Sequence, residues 1–209
     1  MSEGKRFNNI SKKNKSNQKI VVLFFKIFFL FLFIFSCRKI MIYLINNREN
    51  KKMMSNIAVY INVNEENENK DKYDINFKEL KEINNDTIGF LKVNGTDIEF
   101  IVVKGKDNSY YLHHNFEKKE NVGGWIFADY KNKLNGVDKN IVIYGHNLKS
   151  GTMFSSLKNV LDKKWQDDQN NREIIFITEN EKNLYQVFSV YKIKNEDYYI
   201  KTDFEERRI

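Results

Sequence analysis

The sequence has one cysteine, no proline and three histidines among its 209 residues. A single cysteine excludes an internal disulfide framework, and one cysteine with three histidines is too few for a cysteine-rich zinc module. The sequence also lacks a repeat period and a glycine-rich phosphate-binding loop. The aromatic content of 14% excludes a disordered chain, and the charged content of 30% excludes a membrane protein with several spans. The length predicts one globular domain with an attached segment.

The net charge of +7 is unevenly distributed along the chain. Residues 1–52 hold 12 Lys and Arg against 2 Asp and Glu, whereas the other 157 residues hold 23 against 26. A nucleic-acid-binding protein needs its basic residues on the folded domain. Because the domain is slightly acidic, we predict no nucleic-acid partner.

A long apolar run lies within the basic end. It extends from Ile20 to Cys37 as IVVLFFKIFFLFLFIFSC and resumes as IMIYLI up to Ile45. A helix of about 20 apolar residues crosses a bilayer, and Lys26 is close enough to one end to reach the headgroups. We therefore predict a transmembrane anchor at 20–45. The positive-inside rule then places the basic tail, 1–19, in the cytoplasm and the domain outside the cell.

Two other interpretations of this run remain open. A cleaved signal peptide is one, although large Phe and Ile side chains stand where small residues would precede the cleavage site. A lipoprotein box at Ile34–Cys37 is the other, in which Cys37 would be lipidated. In every case Cys37 lies in or beside the membrane, so it is not placed to act as a catalytic thiol.

The rest of the chain divides into a polar segment and a domain. Residues 46–76 are rich in Asn, Lys and Glu, which predicts a stalk next to the membrane. The domain, 77–209, begins with a short helix over 76–84, in which Phe77, Leu80 and Ile83 recur at three-residue steps.

The fold class of the domain follows from short runs rich in Ile, Val, Phe and Tyr. Asn94-Gly95 joins the first two runs and predicts a hairpin, because both residues tolerate positive φ. A helix capped by Thr152 and continuing to Leu161 interrupts the later runs. The pattern predicts a mainly β domain with a closed or nearly closed barrel and few short helices. The six predicted strands are Ile88–Val93, Thr96–Val103, Trp125–Ala128, Asn140–Tyr144, Glu173–Thr178 and Leu184–Ile193.

One segment carries candidate chemistry, NIVIYGHNLKSGTMFSSL at 140–157. Its strand stops at Gly145 and presents His146 where the chain leaves the sheet. A histidine there is placed to transfer protons, and a hydrogen-bonded structural or surface histidine is the alternative. Spacing by itself leaves both interpretations open.

The same residues resemble a known family. YGHN followed by GTMFSSL, and preceded by KVNGTDIEFIVVKGKDNSYYLHHNF and GGWIFADY, is similar to the class B sortases, cysteine transpeptidases of Gram-positive bacteria. The similarity runs from Phe77 to Phe204 and includes LYQVFSVY and YYIKTDF. It implies a sortase-like β-barrel preceded by a single transmembrane helix.

The resemblance also implies a reaction. In such enzymes a thiolate attacks a Thr peptide bond of a carboxy-terminal sorting signal, and an amine of the peptidoglycan precursor resolves the acyl-enzyme. The implied partners are surface proteins with a sorting signal, that amine and the membrane, with no cofactor. His146 matches the histidine that protonates the leaving amine. Four residues match positions that line the sorting-signal groove, with turn capping or core packing as the alternative: Asn108, Leu112, Tyr199 and Ile200.

The chain departs from the family in its last residues. The family nucleophile follows a strand resembling TLSTC, and the catalytic arginine lies on the next strand, whereas this sequence ends at DFEERRI without a second cysteine. Arg207 and Arg208 precede the place of the nucleophile. We therefore expect the last strands to be missing and the 209-residue chain to be inactive. Ser155 and Ser156 are not assigned as replacements, because ordinary helix surface is the simpler expectation.

Two further functions remain open besides an incomplete transpeptidase. One is a non-catalytic, membrane-anchored module that binds sorting peptides or a partner subunit. The other is a metal site formed by His113, His114 and His146, which would need further ligands to converge.

Overall fold

The computed structural model describes residues 3–134, 136, 138–192 and 200–202, with the backbone alone for 3–18 and 69. The chain divides into two compact units, Met1–Ile45 and Asn46–Ile209. Helix α1 spans Glu3–Ile57. Within it, the large apolar side chains between Ile20 and Phe35 are exposed. The helix is long and apolar enough to cross a membrane by length and composition.

The second unit begins with the last turns of α1 and a small two-stranded sheet. Strand β1, Ile61–Val63, pairs antiparallel with β2, Tyr73–Ile75. Residues 46–76, which we expected to form a polar stalk, belong to this unit. Four of their apolar side chains join the buried core: Met53, Ile57, Tyr73 and Ile75.

Helix α2, Phe77–Ile83, confirms the helix predicted at the start of the domain. The side chain of Asn76 accepts a hydrogen bond from the backbone N–H of Glu79 at 3.2 Å, which caps the first turn. Phe77 and Leu80 are buried, but Ile83 is 41% exposed, so the predicted buried stripe is shorter than expected.

The main sheet confirms the mainly β fold with few short helices. It contains β3 (Thr87–Val93), β4 (Ile98–Val103), β5 (Phe127–Ala128), β6 (Ile143–Tyr144), β7 (Glu173–Ile177) and β8 (Lys182–Gln186). The strand order is β6-β5-β4-β3-β7-β8, and every pair is antiparallel except β4 with β5. The sheet curls into a half-barrel. Helix α3, Lys163–Asp167, precedes β7.

The β3–β4 hairpin and β8 show where strand prediction succeeds and where it does not. The predicted hairpin is present, and Gly95 in its turn has a φ of 68°. Asn94 does not have a positive φ, and β4 begins at Ile98 rather than Thr96, so four residues rather than two connect the strands. Strand β8 is half as long as predicted, because its partner β7 begins at Glu173, opposite Gln186. Beyond that point Val187 donates to the carbonyl of Arg172, which lies in a 3-10 turn.

The core fixes the position of β5, and through β5 that of β6. The indole N–H of Trp125 donates to the carbonyl of Ile101 on β4 at 2.8 Å. Trp125 also packs edge-on against Phe100, with ring centroids 6.0 Å apart. Because β6 pairs with β5, this buried anchor determines where the chain leaves the sheet after Tyr144.

Candidate functional site

The candidate site starts at the end of β6. Tyr144 lies opposite Phe127 of β5, and the chain then leaves the sheet at Gly145. A Cβ atom at position 145 would lie 2.4 Å from Cδ1 of Ile126 and 2.7 Å from Cδ2 of Phe154. The backbone therefore passes so close to two side chains that any residue with a Cβ atom would require Ile126 or Phe154 to shift. His146, the next residue, is half-buried.

A tight loop after His146 returns the chain to the same place. Asn147 forms an isolated antiparallel bridge with Met153. The backbone N–H of Phe154 then donates to the carbonyl of His146 at 2.9 Å. A 3-10 helix follows over Phe154–Leu161, and Met153 occupies its cap position in place of the predicted Thr152. The loop thus fixes the backbone of His146 from both sides.

The imidazole ring of His146 has a defined orientation. Its Nε2 lies 2.9 Å from the carbonyl oxygen of Leu112. A carbonyl oxygen can only accept, so Nε2 carries the proton and donates. In the neutral ring Nδ1 is then the unprotonated nitrogen, which can take up and release a proton. Among the described residues Nδ1 has no hydrogen-bond partner.

The Leu112 carbonyl belongs to a 3-10 turn, Tyr110–Leu112, which is held from its amino end. The carboxylate of Asp107 accepts from the Ser109 hydroxyl and from the backbone N–H groups of Ser109 and Tyr110, at 2.7–2.8 Å. These hydrogen bonds, the one from the Ser109 hydroxyl above all, keep the pKa of Asp107 below its ordinary value.

The middle residue of this turn, Tyr111, is fully buried. Its hydroxyl donates to Asp86 at 2.7 Å and accepts from the amide of Asn84 at 2.9 Å. Burial is the main reason why the pKa of Tyr111 lies well above its ordinary value. The turn that holds His146 is therefore anchored in the core of the second unit.

Asn108 connects the same turn to the ends of β5 and β6. Its Oδ1 accepts from the backbone N–H of Tyr130 at 3.0 Å, and its Nδ2 donates to Asp129 at 2.8 Å. The same oxygen of Asp129 accepts from the hydroxyl of Tyr144 at 2.8 Å. Sequence reasoning missed Asp129 and Tyr144. An acidic residue directly after the run WIFA was the one available signal for the first.

The other predicted groove residues lie apart from this cluster or beyond the described residues. Ile200 is half-buried, and the carbonyl of its neighbour Lys201 accepts from Asn140 at 2.9 Å. The segment 200–202 therefore lies near the chain that leads into β6. Tyr199, like Arg207 and Arg208, lies outside the described residues.

The three histidines of the metal-site hypothesis do not share a ligand position. Nδ1 of His114 lies 2.8 Å from the carbonyl of Tyr110, and its ring stacks on that of Tyr110. His113 is exposed. Within the described part of the chain, no three His, Cys, Asp or Glu side chains are grouped as metal ligands.

Ser155 and Ser156 are not on the surface, and that expectation was wrong. They are 4% and 5% exposed. The 3-10 helix packs inward on the face that carries the two small serine side chains and Val160, while Leu161 is 46% exposed.

A groove of about 540 Å³ opens beside the His146 corner. Gly145 and Asn147, the chain neighbours of His146, are among its lining residues. Most of the other lining side chains are apolar, among them Phe154, Leu157, Val187 and Val190. The imidazole of His146, whose Nε2 is bound to the Leu112 carbonyl, therefore belongs to a residue flanked by two lining residues of an apolar groove.

Comparison with known proteins agrees with this geometry. The family model "Sortase domain" matches residues 91–209. Sortase B of Listeria monocytogenes is 36% identical over 190 residues, which cover 83% of this chain and 70% of that protein. Sortase B of Staphylococcus aureus is 37% identical over 129 residues, which cover 62% of this chain and 52% of the relative.

The solved structures agree as well. The crystal structure of sortase B from Bacillus anthracis superimposes with a TM-score of 0.65 at 33% identity, and the match covers 77% of this chain and 74% of that one. This chain thus spans between about half and three quarters of the lengths of these relatives. Fold, sequence identity and family model agree, and the chain belongs to the sortase family, in its class B.

Proposed function

We propose that this chain takes part in sortase B transpeptidation, with His146 as the group that protonates the leaving amine. The supporting observation is the hydrogen bond from His146 Nε2 to the Leu112 carbonyl, beside an apolar groove. This bond orients the ring and leaves Nδ1 to exchange the proton. A protonated His146 would then deliver its Nδ1 proton to the amine that departs when the Thr peptide bond breaks.

The substrates in this proposal are surface proteins with a carboxy-terminal sorting signal, and the acceptor is an amine of the peptidoglycan precursor. We propose that Leu112, Tyr199 and Ile200 line the path of the sorting signal. Both functional groups of the Asn108 side chain already bind Tyr130 and Asp129. Asn108 would therefore shape the groove by fixing the ends of β5 and β6, rather than through a free amide.

The thiol is the part of the reaction that the second unit does not supply. The one cysteine of the 209 residues is Cys37, in the apolar helix of the first unit, and residues 46–209 contain none. The proposed proton transfer by His146 therefore needs a thiolate that residues 46–209 do not contain, and we propose that these 209 residues by themselves bind a sorting peptide without turning it over. A membrane-anchored, non-catalytic binding module is the second candidate function, and the apolar groove favours it.

Binding and turnover of a sorting peptide test the proposal on the full chain in detergent micelles. Fluorescence anisotropy of a labelled peptide containing the scissile Thr bond measures binding, and chromatography measures cleavage in the presence of an amine acceptor. We expect binding without cleavage, unchanged by Cys37→Ala. Cleavage that disappears with His146→Ala would contradict the missing nucleophile, and the absence of binding would contradict a groove function.

We also propose the topology and division predicted from the sequence: a cytoplasmic tail over 1–19, an anchor over 20–45 and an extracellular domain. The exposed apolar side chains of α1 and the basic residues before them support this arrangement. Protease added outside intact cells should degrade the domain while a cytoplasmic control protein survives. Protection of the domain in intact cells, with degradation after lysis, would contradict it.

A further inference from the structure

The last turns of helix α1 carry an unusual face. Residues that point into the second unit recur with helical spacing, and the carboxy-terminal ones, Met53 and Ile57, are apolar and buried. The amino-terminal ones are amides, Asn46, Asn47 and Asn50, and Asn50 is 0% exposed. Buried amides cost free energy unless they are hydrogen-bonded. Their partners therefore indicate what this polar half of the face does.

Two of the three amides hold the loop over 121–124. Nδ2 of Asn50 donates to Oδ1 of Asn121 at 3.1 Å. Nδ2 of Asn121 donates to the carbonyl of Asn46 at 3.3 Å, and the backbone N–H of Val122 donates to Oδ1 of Asn46 at 3.1 Å. These residues are more than 70 positions apart in the chain. Nδ2 of Asn50 also donates to the carbonyl of Gly124 at 3.5 Å, so side chains and backbone of the helix bind both ends of the loop.

The loop over 121–124 in turn lies against the carbonyl that holds His146. Gly124 has a φ of 56°, and a Cβ atom there would lie 2.8 Å from the carbonyl oxygen of Leu112. On either side of this contact, the backbone of Asn121 donates to the carbonyl of His113 at 2.7 Å, and that of Trp125 donates to the carbonyl of Tyr111 at 2.9 Å. The loop therefore sets the position of the Leu112 carbonyl.

The third amide holds the other loop beside the site. The hydroxyl of Thr152 donates to Oδ1 of Asn47 at 3.0 Å. Thr152 is 6% exposed and lies next to Met153, whose bridge to Asn147 closes the loop after His146. Asn47 therefore holds Thr152, two residues before Phe154, whose backbone N–H donates to the His146 carbonyl.

We propose that Asn46, Asn47 and Asn50 are positioning residues for His146. They bind, from one helix face, the loop that holds the ring's hydrogen-bond acceptor and the loop that holds the histidine backbone. The consequence rests on the proposed function: the segment leading from the apolar helix sets the geometry of the proton donor. Purely structural contacts would affect the whole unit, whereas positioning contacts affect the His146 hydrogen bond first.

The test measures hydrogen exchange at the imidazole of His146 in the full chain, in detergent micelles, with ¹⁵N-labelled histidine. Three histidines give few ring signals, and the Nδ1 of His114, which faces the Tyr110 carbonyl, serves as an internal reference. Asn50→Ala and Asn47→Ala should each speed exchange of the His146 Nε2 proton about tenfold, the effect of weakening one ordinary hydrogen bond. The His114 signal should not change.

Aspartate substitutions separate a lost donor from a lost acceptor. Asn47→Asp keeps the oxygen that accepts from Thr152, so exchange should stay at the native rate. Asn50→Asp removes the donor to Asn121 and buries a carboxyl group against the Oδ1 of Asn121, so exchange should be at least as fast as in Asn50→Ala. Asn56→Ala, an exposed amide on the same helix, is the matched control and should change nothing.

Two results would overturn the proposal. One is that the His146 ring proton exchanges at the native rate in folded Asn47→Ala and Asn50→Ala. The other is that exchange at His146 and at His114 speeds up by the same factor. If the fully buried Asn50 cannot be replaced without unfolding the protein, the comparison of Asn47→Ala with Asn47→Asp tests the proposal. The readout does not require catalysis. A non-catalytic His146 would leave the exchange result intact, whereas failure of the positioning proposal would leave the peptide-binding result intact.

Discussion

Gly145→Ala is the sharpest test of the geometry that delivers His146 to the site. The added Cβ atom would lie 2.4 Å from Cδ1 of Ile126, about 1 Å inside ordinary van der Waals contact, and 2.7 Å from the ring of Phe154. Ile126 is completely buried, so its methyl group has no free space to enter. Overpacking of this kind costs about 1–3 kcal/mol. For a unit of this size, that lowers the Tm by about 3–10 °C.

Tryptophan fluorescence during urea unfolding of the full chain measures this cost. Both tryptophans, Trp125 and Trp165, are buried in the second unit, so the signal reports its unfolding rather than that of the apolar helix. We expect a lower urea midpoint with an unchanged slope, because the compactness of the native state is preserved.

A double-mutant cycle identifies the clash. Ile126→Val removes the Cδ1 atom that the new Cβ would meet, and by itself should cost about 1 kcal/mol as a small cavity. In the double variant with Gly145→Ala, the valine should restore part of the stability, so the two effects should not add. Strict additivity, or a Gly145→Ala variant as stable as the native chain, would refute the close passage of the backbone.

Three further perturbations have defined outcomes. Asn84→Ala removes the buried amide that donates to Tyr111 and to the carbonyl of Phe116, and should lower the free energy of unfolding by about 2–3 kcal/mol in urea titrations; a loss under about 0.5 kcal/mol would contradict this role. Burial raises the pKa of Tyr111 in the folded state, so its contribution to stability is present below about pH 10 and is lost above it. Urea titrations should therefore show that the free energy of unfolding falls less between pH 8 and pH 11 for Tyr111→Phe than for the native chain. An equal decrease in both proteins would contradict the raised pKa. Phe188 is 98% exposed, so Phe188→Ser should leave the urea midpoint unchanged and reduce self-association in light scattering; a large loss of stability would show that the ring is buried.

Local signals in the sequence predicted much of the fold. The helix capped by Asn76 and the hairpin at Asn94-Gly95 depend on residues within a few positions of each other, and both are present. Strands β1 and β2 escaped prediction, because three residues each are too short for a clear alternation. The polar composition around them suggested a stalk, whereas packing depends on the four apolar side chains of this segment that are buried in the core.

The candidate site was predictable only in part. His146 was identified from its place after a strand and from the family resemblance, and its catalytic role stays a prediction. The importance of Leu112 in this structure comes from its backbone carbonyl, an atom that every residue possesses. No residue type marks such an acceptor. Likewise, nothing in the asparagines of α1 indicates that Asn50 binds Asn121, 71 positions later.

The sequence by itself determined the class of the protein. Its evidence is the apolar run at the basic end, the mainly β pattern and the ordered motifs around YGHN. These features depend on composition and on short spacings, which can be read directly from the sequence. Only the tertiary structure decided how the site is held. The proton on His146 Nε2, the carbonyl that accepts it and the helix face behind that carbonyl come from segments far apart in the chain. Their contacts exist only once the core of Trp125, Tyr111 and the sheet has closed around them, because packing of the whole unit sets each distance.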